Sequence, residues 1–138
     1  VAQSYESSNI KISVICDPQL QCFGFERELM QVLLVCFGNS KDAIEERGLG
    51  DGKITVVGKQ ISDEKISITV SDNGGGVKDE MLYDIFNPFF TTKEEGKGSG
   101  IGLYMSKQII EQGMKGAISA ANTADGLCVT IEIPKNIA

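Results

Sequence analysis

Seven of the sixteen glycines fall in two clusters, Gly74–Gly76 and Gly96–Gly102. The first lies in Val70-Ser71-Asp72-Asn73-Gly74-Gly75-Gly76-Val77, where an apolar run ends on a carboxylate. Asp72 can accept a hydrogen bond from an exocyclic amine, and glycines let a flat ring approach the backbone. The plainer reading is a strand-end turn with Asp72 as its turn residue. The second cluster, Gly96-Lys97-Gly98-Ser99-Gly100-Ile101-Gly102-Leu103, runs straight into an amphipathic helical pattern. Chain without Cβ atoms can aim free N–H groups at an anion, and a helix start adds partial positive charge. The backbone from Gly98 through Ser99, Gly100, Ile101 and Gly102 to Leu103 is thus a candidate phosphate cradle, with Lys93 and Lys97 as nearby cations. It lacks the Gly-Lys-Ser/Thr ending of a P-loop, and no clear strand precedes it as a dinucleotide fingerprint requires. A flexible hinge is the competing reading.

A third candidate is Asn39, in Gly38-Asn39-Ser40-Lys41-Asp42-Ala43, a polar residue where the helical spacing is otherwise apolar. Its amide oxygen is a hard, neutral ligand suited to Mg²⁺ already held by phosphate oxygens. A buried Asn with a backbone partner is the alternative, and Asp42 is read as an ion-pair or capping partner.

Other chemistries find little support. The chain contains no histidine, which removes the usual general base of a nucleophilic triad and any phosphohistidine of its own. Cys16, Cys22, Cys36 and Cys128 have no Cys-x-x-Cys spacing, so a zinc site is not indicated. Cys16 and Cys22 flank an Asp17-Pro18 turn and could face each other across a hairpin; reduced thiols in a cytosolic core are the favoured reading. A net charge of −6 over 138 residues argues against nucleic acid or an anionic membrane as partner. No apolar run approaches the roughly 20 residues that cross a bilayer. Any anionic ligand must therefore be held by local structure.

The elements that position these residues follow from periodicity. Ile10–Ile15 alternates as a half-buried strand does, and a short extended piece is expected near Cys22-Phe23. Glu26 to Arg47 reads as one long helix with Gly48 as its stop. Lys53–Lys59 and Lys65–Ser71 read as strands joined through Ser62-Asp63-Glu64. A short helix is expected over Asp79–Ile85, a mobile loop from about Asn87 to Ser99, and a second long helix over Ile101–Gln112. Ile101, Met105 and Ile109 stack four apart on that helix. Ala117–Ala121 and Leu127–Ile133 complete the strands. The order implies a two-layer α/β sandwich with helices on one face of a single sheet.

In chain order, an Asn-bearing helix, Asp72-Asn73-Gly74-Gly75-Gly76, Ile85-Phe86-Asn87-Pro88-Phe89-Phe90-Thr91-Thr92-Lys93 and Gly96 to Leu103 form a specific constellation. It resembles the catalytic ATP-binding domain of bacterial sensor histidine kinases, in the superfamily shared with gyrase, MutL and heat-shock chaperone ATPases. The resemblance covers Ile10 to Pro134, and its phrasing around Asn87–Leu103 looks most like the nitrogen-regulation type. It implies a Bergerat-type fold with a mixed, mostly antiparallel sheet, and ATP with Mg²⁺ as ligands. Asp72, Gly74 and Gly76 match the adenine-binding motif, and Asn39 matches the metal-binding Asn. Phe86 to Lys93 match the aromatic motif of a mobile lid, one phenylalanine expected to anchor its base and another to stay available to a partner. Gly98, Gly100 and Gly102 match the phosphate motif, and Gly126 opens a final-strand glycine motif.

The resemblance further implies transfer of the γ-phosphoryl group to a histidine on a dimerisation domain of the parent protein, with a response regulator downstream. Residues 1–138 are read as the catalytic domain alone, monomeric in isolation and cytoplasmic, in a parent protein with or without a membrane anchor. No side chain is singled out as catalytic, because positioning and charge neutralisation do most of such work. One departure stands out: Val35 occupies the position, four before the metal Asn, where the family carries Asn or Glu. Valine can neither orient water nor ligate a metal. This disfavours an ATP hydrolase and motivates a rival reading, a non-catalytic nucleotide-binding module; Val35 as ordinary core packing is the bland one.

Overall fold

The computed structural model describes residues 2–7, 10–18, 20, 26–48, 50–90 and 101–135, with side chains from Ile10 onward. Strand β1 (Ala2–Ser7) pairs antiparallel with β2 (Ile10–Cys16). No periodic signal in the sequence marks β1, whose single large apolar-bodied residue, Tyr5, leaves no alternation to detect. After β2 the chain turns at Asp17-Pro18, where the Leu20 amide donates to the Asp17 carbonyl at 2.9 Å. The expected extended piece near Cys22-Phe23 lies outside the described residues.

Helix α1 (Glu26–Arg47) has the expected bounds. Glu26 and Glu28 in its first turn and Arg47 in its last complement the helix dipole. Val32, Cys36, Ser40 and Ile44, four apart, are its buried stripe. Gly48, at φ 73°, closes it by donating to the carbonyls of Ile44 and Glu45. Strands β3 (Gly52–Gln60) and β4 (Lys65–Asp72) form the expected hairpin, with the Ser62 hydroxyl accepting from the amides of Glu64 and Lys65.

The helical expectation over Asp79–Ile85 is corrected. The chain makes two separate 3₁₀ turns there, Asp79–Met81 and Asp84–Phe86, closed by i to i+3 bonds from Leu82 to Asp79 and from Asn87 to Asp84. Pro88 forces Asn87 into an extended conformation, which ends the second turn. Helix α2 (Gly102–Gln108) then widens into a π turn over Ile109–Gly113, where the Met114 amide reaches the Ile109 carbonyl. The most buried stripe also differs from the one read in sequence. Ser106, Ile110 and Met114 are buried, whereas Met105 is exposed. Ser106, Ile110 and Met114 keep a four-residue spacing on the core side, and the buried Ser106 hydroxyl is satisfied by the Gly102 carbonyl at 2.9 Å.

Strands β5 (Ala117–Asn122) and β6 (Leu127–Pro134) complete a sheet of order β1-β2-β3-β4-β6-β5. Among the described strands only β2 and β3 run parallel, as the α1 crossover between them requires; the other pairings there are antiparallel. Ile54 and Val56, Ile66, Ile68 and Val70, and Val129, Ile131 and Ile133 face the helices. The opposite face carries Thr55, Thr69, Ser71, Cys128 and Thr130, all half-exposed. This is the expected two-layer sandwich, a mixed, mostly antiparallel sheet with its helices on one side.

Candidate functional site

The end of β4 and the second half of α1 enclose a pocket of about 330 Å³, near the lower end of the roughly 300–1,000 Å³ common for small-molecule sites. Asn39, Ser40, Ala43 and Arg47 line it from α1, and Asp72, Gly74, Gly76 and Val77 from β4 and the loop after it. Leu103 of α2, Phe90, and Leu127 and Val129 of β6 supply apolar walls.

Asp72 is fixed from three directions. Its Oδ2 accepts from the Ser40 hydroxyl at 2.8 Å, and its Oδ1 accepts from the Gly74 amide at 2.9 Å and the Leu127 amide at 3.4 Å. Gly74 presses on α1 so closely that a Cβ there would lie 2.8 Å from that of Ala43. Gly126 lies against the Asp72 backbone, where an added Cβ would meet the Asp72 carbonyl oxygen at 2.2 Å. The glycines are thus places where chain packs on chain around one carboxylate.

The loop that follows is clamped by residues distant in sequence. The Asn122 side chain bonds both backbone polar groups of Val77, accepting from its amide at 3.0 Å and donating to its carbonyl, and also donates to Asp79. Gly76, at φ 71°, packs on the Asn122 amide oxygen, a conformation and a proximity that a side chain would not tolerate. Arg47 Nη1 donates to the carbonyls of Asn73, at 3.0 Å, and Asp125, at 3.3 Å. The Asp125 carbonyl also accepts from the Gly75 amide. The pocket rim is therefore tied to the end of α1 and to the β5–β6 turn.

Of the residues singled out in sequence, Asn39, Asp72, Gly74, Gly76 and Leu103 meet at this pocket. Ile101 and Gly102 begin α2 outside its lining, while Lys93, Lys97, Gly98, Ser99 and Gly100 lie outside the described residues. Ser40, Arg47 and Asn122 were missed. A serine on the buried stripe of α1 was a visible signal for Ser40; the other two act through contacts that no local pattern encodes. Among the described residues no three His, Cys, Asp or Glu side chains stand together as a metal cage. A hard cation would be held by the Asn39 oxygen with ligand oxygens, which that amide suits.

Val35 does not line the pocket. It packs on the first residue of α2, where a Cβ added to Gly102 would lie 3.0 Å from its Cγ1. Cys36 is almost wholly buried, and desolvation pushes its thiol up to about 12, leaving it unreactive near neutral pH. Phe86 is buried, with Lys107 Nζ 5.7 Å from its ring centre, and Phe90 packs against the core. Phe89, at φ 67°, is 74% exposed. At least one aromatic anchor, with another phenylalanine left exposed, was the expectation for this segment.

A family model described as histidine kinase-, DNA gyrase B- and HSP90-like ATPase matches residues 24–137. Among curated relatives, the sensor histidine kinase ZraS of Salmonella typhi is 35% identical over 136 residues, 97% of this chain and 28% of that protein. The sensory histidine kinase/phosphatase NtrB of Rhizobium leguminosarum bv. phaseoli is 36% identical over 115 residues, 75% of this chain and 30% of that protein. The chain thus spans less than a third of the length of these relatives. The solved catalytic domain of histidine kinase ThkA, in a nucleotide-free form, superposes with a TM-score of 0.79 at 29% identity, covering 93% of this chain and 82% of that one. ThkA is also known in complex with the response regulator protein TrrA, with a TM-score of 0.70 over 92% of this chain and 34% of that one, at 29% identity. The chain belongs to the histidine kinase-, DNA gyrase B- and HSP90-like ATPase family, as the ATPase domain of a sensor histidine kinase.

Proposed function

We propose that this domain binds ATP with Mg²⁺ and passes the γ-phosphoryl group to a histidine on a separate dimerisation domain, from which a response regulator receives it. ATP binding is the common property of the family; the residue roles and the transfer are our reading. The observation that carries it is Asp72, a carboxylate fixed by three hydrogen bonds with part of one oxygen left to face a glycine-walled pocket. Adenine fits that acceptor through its exocyclic amine, between Leu127, Val129 and the backbone of Gly74 and Gly76.

Asn39, one turn before Ala43 on α1, would hold the metal, whose role when bound is to neutralise phosphate charge. The Gly98–Leu103 backbone would hold the phosphates, with Lys93 and Lys97 as added cations. In the transfer the bond from phosphorus to the ADP oxygen breaks, a bond to the unprotonated nitrogen of the acceptor imidazole forms, and the proton on its other ring nitrogen is released. The acceptor lies outside residues 1–138, which contain no histidine. A response regulator partner is supported by the ThkA complex. We place the domain in the cytoplasm; among its described residues no helix is long and apolar enough to cross a membrane.

Labelled phosphate from ATP should appear on a histidine-bearing dimerisation domain supplied in trans. Absence of transfer, with ATP bound, would leave the second reading, a nucleotide-binding module without phosphotransfer, which Val35 favours because valine offers the metal no ligand. Val35→Asn separates these. Its amide should raise transfer at saturating ATP and Mg²⁺ while ADP affinity stays unchanged, since position 35 lies away from the adenine pocket. An unchanged rate would mean that Val35 matters only for its packing on Gly102.

Hydrogen exchange tests the phosphate cradle. Adding ATP–Mg²⁺ should protect the amides from Gly98 to Leu103 more than those of β3, because phosphate oxygens accept from backbone N–H groups there. Equal protection with and without nucleotide would mean that the cradle is misplaced and the glycine cluster is a hinge.

A further inference from the structure

We propose that Ser40 is a second reader of the nucleotide base, its oxygen and Asp72 Oδ2 together forming a two-acceptor floor that shares one N–H of an exocyclic amine. The inference rests on the adenine reading above and adds a residue to it.

An ionised carboxylate offers about four acceptor positions. On Asp72, Oδ1 is engaged by the amides of Gly74 and Leu127, and Oδ2 is engaged once, by Ser40. One acceptor position, on Oδ2, is left for a ligand. A serine hydroxyl has one hydrogen and two acceptor positions. A helical serine commonly spends its hydrogen on the carbonyl one turn back, but that of Ser40 goes to Asp72 Oδ2 at 2.8 Å. What Ser40 presents to the pocket is therefore acceptor only.

Ser40 is 5% exposed, and it lines the same pocket as Asp72. The two oxygens stand 2.8 Å apart, close enough for one N–H of an amine to be shared between them in a three-centre hydrogen bond. A carbonyl oxygen at the same place would meet two acceptors and no donor. Ser40 thus strengthens the preference for a 6-amino purine over a 6-oxo purine that Asp72 alone would set. A purely packing role is better served by alanine, which buries no hydroxyl and favours the helix.

Calorimetry on a two-by-two set tests this: wild type and Ser40→Ala, each titrated with ADP and with purine riboside diphosphate, which lacks the amine. Ser40→Ala should weaken ADP about three- to tenfold, the scale of one neutral hydrogen bond, and leave the amine-free analogue within about twofold. Ser40→Thr, which keeps the hydroxyl, should retain most of the ADP affinity. Binding of the analogue by Ser40→Ala also reports that the variant is folded. An equal loss for both ligands would overturn the proposal, because Ser40 would then act only through the fold; so would no loss for either. If wild type failed to prefer ADP over the analogue, the adenine reading itself would fall, and this proposal with it.

Discussion

Asp72→Asn is expected to weaken ADP and ATP binding by about 1.5–3 kcal/mol, roughly ten- to 150-fold, the scale for a hydrogen bond to a charged group. The substitution keeps the shape and removes the charge, but the amide has no satisfactory orientation. With its NH₂ on the Oδ1 side it confronts the amide donors of Gly74 and Leu127. On the Oδ2 side it confronts the Ser40 hydroxyl hydrogen and presents a donor to the ligand's own amine. Calorimetry with ADP measures the loss without involving the γ-phosphate. An unchanged affinity in a folded variant would mean that the base does not meet Asp72.

Gly126→Ala is expected to be as damaging by a different route. Its Cβ would lie 2.2 Å from the Asp72 carbonyl oxygen and 2.6 Å from Oδ1. The nearest obstacle is backbone, which cannot swing aside as a long side chain can. Gly126 is also pinned, its amide donating to Thr123 Oγ1 and its carbonyl accepting from the Thr123 amide. Overpacking of this kind costs about 1–3 kcal/mol or more. The ends of β4 and β6 must part to admit the methyl, which moves Asp72, so ADP affinity should fall by more than tenfold along with Tm. Gly38→Ala is the matched control. A Cβ at that site on α1 meets nothing within 4 Å, so removing a mid-helix glycine should stabilise by about 0.4–1 kcal/mol. A Gly126→Ala variant with wild-type Tm and ADP affinity would contradict the packing described around Asp72.

The parts of the fold that were legible in sequence are those governed by local periodicity. α1 and strands β2 to β6 are each marked by apolar spacing and by a stop such as Gly48, and they stand within one or two residues of expectation. β1 was not legible, because Gln3, Ser4 and Glu6 leave no alternating apolar face and its only cue is the neighbouring strand. The face of α2 was misread for another reason. The stripe read in sequence, Ile101, Met105 and Ile109, lies one position from the most buried one, Ser106, Ile110 and Met114, and a serine at the start of the buried stripe hides it, while Ile109 still packs against the core. In the site, Asp72, Gly74, Gly76 and Asn39 announced themselves by residue type in unusual surroundings. Asn122 and Arg47 did not. Asn122 holds Val77 from 45 residues away, and Arg47 reaches Asp125 across 78. Such clamps exist only once the sheet is assembled, so no motif records them.

Titration of the wild-type domain with ATP and GTP, both with Mg²⁺, shows whether the pocket selects adenine nucleotides through acceptors at Asp72. The two nucleotides share ribose and triphosphate and differ at the base, where GTP carries a carbonyl in place of the 6-amine. Tighter binding of ATP, by at least about tenfold, is the predicted result, since GTP loses a charged hydrogen bond and gains a repulsion. Equal affinities, or a preference for GTP, would mean that Asp72 does not read the base.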